Sequence, residues 1–159
     1  METHPLAAQE DPLIGELRSQ FGQNIKSLSS PKPRWISVTI NKEAFLDFCK
    51  YVKEKNFEHC SCVSAVDNKN VFTLVYHIYN YDERKTLEII TEVPRDNPTI
   101  PSVTPLWGGA NWHEREQYDF FGVIFENHPN LERIMTPPGW EYFPLRKEYK
   151  ISGELQTSA

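Results

Sequence analysis

The sequence predicts an α+β fold, a two-layer domain with helices packed on a mainly antiparallel sheet, followed by an irregular Pro- and aromatic-rich C-terminal tail. Three observations carry this prediction. Between His59 and Val93 three β-prone runs are separated only by short polar turns, too short for the crossover that parallel neighbours need. Two segments, starting at Asp11 and Asn41, repeat apolar residues at helical spacing. Beyond Gly122 periodicity stops, and Pro129, Pro137, Pro138 and Pro144 keep the chain irregular. The reading divides the 159 residues into a flexible tail at 1–10, an α+β domain at 11–125 and an extended C-terminal docking segment at 126–159.

Each element has a local reason. Asp11 caps a helix with Pro12 at its first position, and Leu13, Ile14, Leu17 and Phe21 share a face that Gly22 closes. Ser27 to Pro33 lacks periodicity and reads as a loop, with an extra strand in Ser27–Ile40 left open. Trp35 to Ile40 alternates as a strand. Asn41 caps a second helix whose apolar face is Ala44, Phe45, Phe48, Cys49 and Val52. His59 to Val66 is a strand with Cys60, Cys62, Ser64 and Val66 on one face. Val71 to Tyr79 and Thr86 to Val93 complete a meander. Pro94 to Pro105 is a stiff extended connection. Asn111 caps a third helix ending at Phe121, with Trp112 and Phe121 expected in the core.

Composition narrows the function. The net charge of −5 and pI of about 5.5 argue against nucleic-acid binding. No apolar run reaches the roughly 18–20 residues of a membrane span, and Met1 to Asp11 does not read as a signal peptide. Cys49, Cys60 and Cys62 are too few for a four-thiolate site and read as small buried hydrophobes in a reducing compartment.

The residues that could carry chemistry crowd into Asn111–Tyr149. His113-Glu114 begins like a zinc helix, but Gln117 stands where the second histidine is needed one turn on. Glu114, Glu116 and Asp119 could serve a free-standing acid–base or metal-dependent enzyme. Equally, Arg115 and Asp119 at i, i+4 form a charged face that is solvated or paired. Phosphate-binding glycine loops and nucleophile elbows are absent from the sequence. Trp, Tyr and Arg are the usual anchors of interfaces, and Trp107 to Tyr149 holds three of the four tryptophans together with Arg115, Arg133, Arg146 and Lys147. That combination favours docking.

The run Glu114-Arg115-Glu116-Gln117-Tyr118-Asp119-Phe120-Phe121-Gly122-Val123, then His128-Pro129, Arg133-Ile134 and Pro144-Leu145-Arg146-Lys147, strongly resembles the 30-kDa subunit family of respiratory complex I. The family includes the C-type subunit of bacterial NADH:quinone oxidoreductases, the plastid J-type subunit and counterparts in archaeal deazaflavin-coenzyme dehydrogenases and membrane-bound hydrogenases. Glu132 (usually basic), Tyr142 (often Gly) and Glu148 (usually Asp) depart from the pattern. The resemblance implies a non-redox structural subunit of the peripheral arm of an ion-translocating oxidoreductase. It would dock on the 49-kDa-type subunit near the quinone or methanophenazine site. It implies no cofactor in this protein, iron–sulfur clusters and flavin in partner subunits, and neighbouring iron–sulfur subunits as contacts. It places the protein peripherally at the cytoplasmic face of the cell membrane, touching the membrane only through the complex. Glu114, Arg115, Glu116, Asp119, His128, Arg133, Arg146 and Lys147 are expected to stabilise the fold or contact partners, not to catalyse. Compactness and the N-terminal half favour the archaeal reduced coenzyme F(420) dehydrogenase. A bacterial NADH:quinone oxidoreductase or membrane-bound hydrogenase is the alternative.

Overall fold

Asp11 opens the first helix as its sequence dictates: the Leu13 amide donates to Asp11 Oδ1 at 3.0 Å, and Pro12 sits in the first turn. The structure, a computed structural model, describes residues 11–150; the expected N-terminal tail at 1–10 lies outside them. Helix α1 (Pro12–Phe21) precedes β1 (Ile25–Lys32) and β2 (Trp35–Ile40). A 3-10 turn, Lys42–Ala44, leads into α2 (Phe45–Glu54), then β3 (His59–Asp67), β4 (Val71–Asn80) and β5 (Lys85–Pro94). The last elements are β6 (Thr99–Pro101), α3 (Ala110–Phe121) and β7 (Ile124–Glu126).

The five-stranded sheet runs β1-β2-β5-β4-β3, antiparallel throughout except where β2 lies parallel to β5. β2 and β4 alternate strictly between buried and half-exposed residues, so one face carries the core. α1 and α2 cover it: Phe45 packs on Tyr76, and Phe21 edges onto Phe48. The other face is open and its charges are paired internally, Lys26 with Glu92 at 2.9 Å and Glu88 with His77 at 3.3 Å. This is the expected two-layer α+β arrangement, and the β3-β4-β5 meander is as predicted.

Local expectations fail for identifiable reasons. Ser27 to Pro33 is mostly strand: β1 is an edge strand, its residues largely exposed, so no apolar alternation marks it. A register shift between Ser29 and Lys32 accommodates Pro31 there. Asn41 makes no side-chain cap, and the Ala44 amide instead donates to the Asn41 carbonyl at 3.1 Å. A bulge between Cys60 and Cys62 switches faces within β3, so Cys60 and Val63 point inward while Cys62 and Ser64 point out. α3 begins at Ala110 rather than after Asn111, and Trp112 is 64% exposed, not core. β6 and β7, three residues each, form a parallel pair, β6 inside the connection expected to be extended and β7 in the region beyond Gly122 expected to be irregular.

Gln117, which from spacing alone is only a missing zinc ligand, positions α3. Its Nε2 donates to the Val63 carbonyl and its Oε1 accepts from the Ala65 amide, both at 3.0 Å. The side chain thereby pairs with the free edge of β3 as a neighbouring peptide would. At the far end of α3, Gly122 adopts φ +76° in the left-handed region, and a Cβ there would lie 2.6 Å from the Phe143 ring and 2.7 Å from Arg146 Nη2. Gly122→Ala is therefore expected to cost about 2 kcal/mol or more. Gly15→Ala, in helical backbone with nothing nearby, is expected to add about 0.5–1 kcal/mol. Urea denaturation of both variants checks the contrast.

Candidate functional site

The segment after β7 carries no regular structure, yet its backbone is closely bonded to the domain. Asp119, wholly buried on α3, is the principal anchor. Its Oδ2 accepts from three successive amides, Ile134 at 2.9 Å, Met135 at 2.6 Å and Thr136 at 3.0 Å. Its Oδ1 accepts from Arg133 Nη1 at 2.9 Å and from the Thr136 hydroxyl. Burial alone would raise the pKa of this carboxyl. The Thr136 hydroxyl, the Met135 and Thr136 amides and Arg133 outweigh burial and hold it well below the usual carboxylate range. Arg133 also donates to the Asp119 carbonyl at 2.9 Å and lies 4.9 Å over the Phe143 ring.

Two further anchors act along the same segment. Arg146 Nε donates to the Phe121 carbonyl at 2.7 Å, satisfying the end of α3, while its guanidinium stacks between Phe143 at 4.3 Å and Phe72 at 5.3 Å. Burial lowers its pKa. Asp67, buried at the end of β3, accepts from the Lys147 amide at 2.9 Å, the Lys69 amide at 2.9 Å and Arg95. Arg95 reaches on to Glu148. Residues 131–148 thus form a strap tied to the domain by Arg133, Thr136, Arg146 and the amides of Ile134, Met135, Thr136 and Lys147.

The opposite side of the strap carries a cluster of exposed apolar side chains among exposed charges at Glu132, Glu141 and Lys147. Met135, Tyr142 and Leu145 are 66%, 60% and 53% exposed, and Trp140 is 39% exposed. Trp140 separates two open grooves of about 770 and 610 Å³. Tyr142 lies between Trp140 and Tyr149, at ring separations of 6.0 and 6.4 Å. An exposed apolar cluster of this kind on a protein that buries its polar groups beneath it is the signature of an interaction surface.

The remaining residues singled out from the sequence fall into separate places. Glu114 is wholly buried and accepts from the Ser102 hydroxyl at 2.6 Å and the Val103 amide at 2.8 Å. Burial pushes its pKa up to about 7 against the lowering effect of those two bonds. Glu116 accepts from Gln117 Nε2 at 3.1 Å, away from Glu114's contacts. A carboxyl sealed from solvent cannot reach a substrate, so the Glu114–Glu116 acid–base pair is not assembled. Arg115 does not pair with Asp119: it donates to the Glu132 carbonyl at 3.1 Å and stacks 4.7 Å over Trp112. His128 accepts from the Asn130 amide at Nδ1 and reaches the Asn111 carbonyl through Nε2. Lys147 contributes its backbone amide, with its side chain exposed. Sequence reasoning missed Asp67, Arg95, Ser102 and Thr136; each is an ordinary turn or strand residue until the fold brings it to the strap or to α3. Among the described residues no group of three or more His, Cys, Asp and Glu side chains is placed to hold a metal ion.

Comparison with known proteins follows the same residues. The model of the family described as the respiratory-chain NADH dehydrogenase 30 kDa subunit matches residues 38–155. The C-type subunit of the NADH-quinone oxidoreductase of Roseiflexus sp. (strain RS-1) is 38% identical over 75% of this chain and 72% of its own length. The C-type subunit of the F(420)H(2) dehydrogenase of Methanosarcina mazei is 34% identical over 87% of this chain and 90% of its own. The C/D subunit of the NADH-quinone oxidoreductase of Photorhabdus laumondii is 31% identical over 88% of this chain, which spans only 25% of that longer protein. A trypsin-resistant fragment of Nqo5 superposes with a TM-score of 0.64 over 75% of this chain and 96% of its own, at 26% identity. A polypeptide of an archaeal membrane-bound sulfane sulfur reductase shares the fold, with a TM-score of 0.78 over 89% of this chain and 85% of its own at 24% identity.

Asp119→Asn turns an amide NH₂ toward donors that require an acceptor, and is expected to cost about 3 kcal/mol. Folding lowers the Asp119 pKa, so its contribution is complete above the ordinary value of 3.8 and is lost as pH falls below it. Thermal melts between pH 2.5 and 6 should show a steep acid limb in the native protein and a shallower one in the variant.

Proposed function

The chain belongs to the 30-kDa subunit family of the respiratory-chain NADH dehydrogenase, and from that membership we propose that it acts as a non-redox assembly subunit, docking through its C-terminal strap onto the D-type (49-kDa) subunit of a respiratory oxidoreductase complex. The observation that carries this reading is the two-sidedness of the strap. Asp119, Arg146 and Asp67 hold its backbone inward, while Met135, Trp140, Tyr142 and Leu145 face out among a few exposed charges. The choice of partner is supported by the Photorhabdus protein, whose name joins C and D and of which this chain matches one quarter. A covalent fusion is the strongest form of a standing interface.

In this reading iron–sulfur clusters and flavin reside in partner subunits, and the quinone or methanophenazine site lies on the D-type side of the interface. Attachment to the cytoplasmic face of the membrane runs through the complex; no described helix is long and apolar enough to cross a bilayer. Relatives named for NADH and for F(420)H(2) match at 38% and 34% identity. The proposal therefore concerns the assembly role that their shared C-type naming points to, and the archaeal deazaflavin-linked complex is the donor-side reading that the sequence favours.

Trp140→Asp and Leu145→Asp, introduced into the tagged full-length protein in its native host, place charge on the outward face without touching the inward anchors. Each is expected to weaken capture of the D-type partner about 30-fold or more, the effect of losing an interface hot spot, while the thermal midpoint of the isolated protein stays unchanged. Undiminished recovery of the partner with both variants would refute the docking role. The flavin and the electron donor accepted by the purified native complex identify which dehydrogenase it is.

A further inference from the structure

Glu114 is the one carboxyl of α3 that is buried without a strong cationic partner. Its Oε1 accepts from the Val103 amide, its Oε2 meets the Ser102 hydroxyl, and no Lys or Arg ion pair to it is found among the described residues. His128 stands 3.8 Å from Oε2 with its side chain fully enclosed. Its Nδ1 accepts from the Asn130 amide, so the ring proton is on Nε2 and is directed to the Asn111 carbonyl, 3.2 Å away. Glu114 thus bonds α3 to the turn after β6 through Ser102 and Val103, and His128 of the turn after β7 lies beside it, bonded to α3 at Asn111.

We propose that Glu114 is a proton-operated latch between α3 and the β6–β7 unit, closed when its carboxyl holds a proton and loosened when that proton passes to solvent. The hydrogen bonds support two complete states. Protonated, Oε2 donates to Ser102 Oγ, and Ser102 passes its own hydrogen to Thr104 Oγ1, 2.7 Å away. Ionised, Oε2 accepts from Ser102, and Ser102 Oγ still accepts from the Thr104 amide at 3.1 Å. The ionised state differs by placing a charge where water cannot reach it, and opening the turn after β6 is what admits water.

The surrounding groups do not compensate. Cys49 of α2, Cys60 of β3 and Tyr76 of β4 lie within electrostatic range of Glu114. Burial raises all three, Cys60 to about 12, so they stay neutral when Glu114 titrates. Burial lowers the His128 pKa, the Asn111 carbonyl opposes this and the Arg115 charge adds to it. With Nδ1 of His128 taken by the Asn130 amide and its ring proton directed to Asn111, the proton exchanged within the pair is the carboxyl's. Folding raises this carboxyl from 4.5 to about 7, so closure is firmest below 4.5, weakens across that interval and levels off above it.

Hydrogen exchange of the full-length protein, corrected for the intrinsic pH dependence of exchange, reads the opening at Val103. Protection is expected to fall by up to about tenfold per pH unit between pH 5 and 7, and to become independent of pH in Glu114→Gln, which keeps the shape and removes the charge. Should that variant not fold, ¹³C carboxyl titration of Glu114 in the native protein decides instead, with a midpoint near 7 expected. A midpoint at the ordinary glutamate value, or the same pH slope at Val103 in Glu114→Gln, overturns the proposal. Neither readout depends on partner capture, so the latch and the docking role fail independently.

Discussion

The conformation of the strap depends on the Asp119 carboxylate more than on any other group. An irregular segment has no ladder to satisfy its amides, and three successive ones at Ile134–Thr136 converge on a single oxygen. That arrangement is an anion-binding concavity of backbone donors, filled here by a side chain of the same protein. It works because α3 holds Asp119 rigidly, and α3 is rigid because Gln117 replaces a missing strand at the β3 edge while Gly122 turns the backbone around. One helix thus presents polar groups to the sheet, to the β6–β7 turns and to the strap. This explains why so polar a helix has a buried interior: Glu114, Gln117 and Asp119 are all enclosed.

The sequence carried the sheet and both N-terminal helices because their physics is local. Alternation in Trp35–Ile40 and Val71–Tyr79, and the Asp11-Pro12 cap, need no distant partner to be recognised. Two failures share the opposite cause. β1 takes its order from pairing with β2, and the β3 bulge changes which cysteine is inside; neither is encoded in apolar periodicity. In the candidate site the charged residues were found, but helical spacing assigned Arg115 to Asp119. Arg133, fourteen positions along from Asp119, is the actual partner. Spacing ranks neighbours on one helix and is blind to a segment that returns.

Dense charge in Asn111–Tyr149 first admits an active site and a docking surface equally. Burial separates them. Groups that work on a substrate need access, and the two most enclosed carboxyls have none. The accessible surface over the same region instead carries Met135, Trp140, Tyr142 and Leu145 together with exposed charges. Glu132 is exposed too, and it lines the same groove as Trp140. That places a negative charge at the margin of the apolar cluster, where complementarity governs partner choice more than affinity.

Fixing the strap in advance has an energetic consequence for assembly. A free tail of irregular sequence would lose roughly 1–2 kcal/mol of backbone entropy for each residue ordered on binding, a cost that could cancel the burial of several aromatic side chains. Here much of that ordering occurs on folding, through Asp119, Arg146 and the Asp67–Arg95–Glu148 series, so the outward face is already shaped in the isolated protein. The same logic accounts for charge being enclosed at Asp119 although apolar contacts would serve stability as well. A carboxylate that demands five donors admits one conformation of the strap, whereas an apolar anchor would tolerate many. Uniqueness of shape, rather than strength of attachment, is what a docking surface needs from its supports.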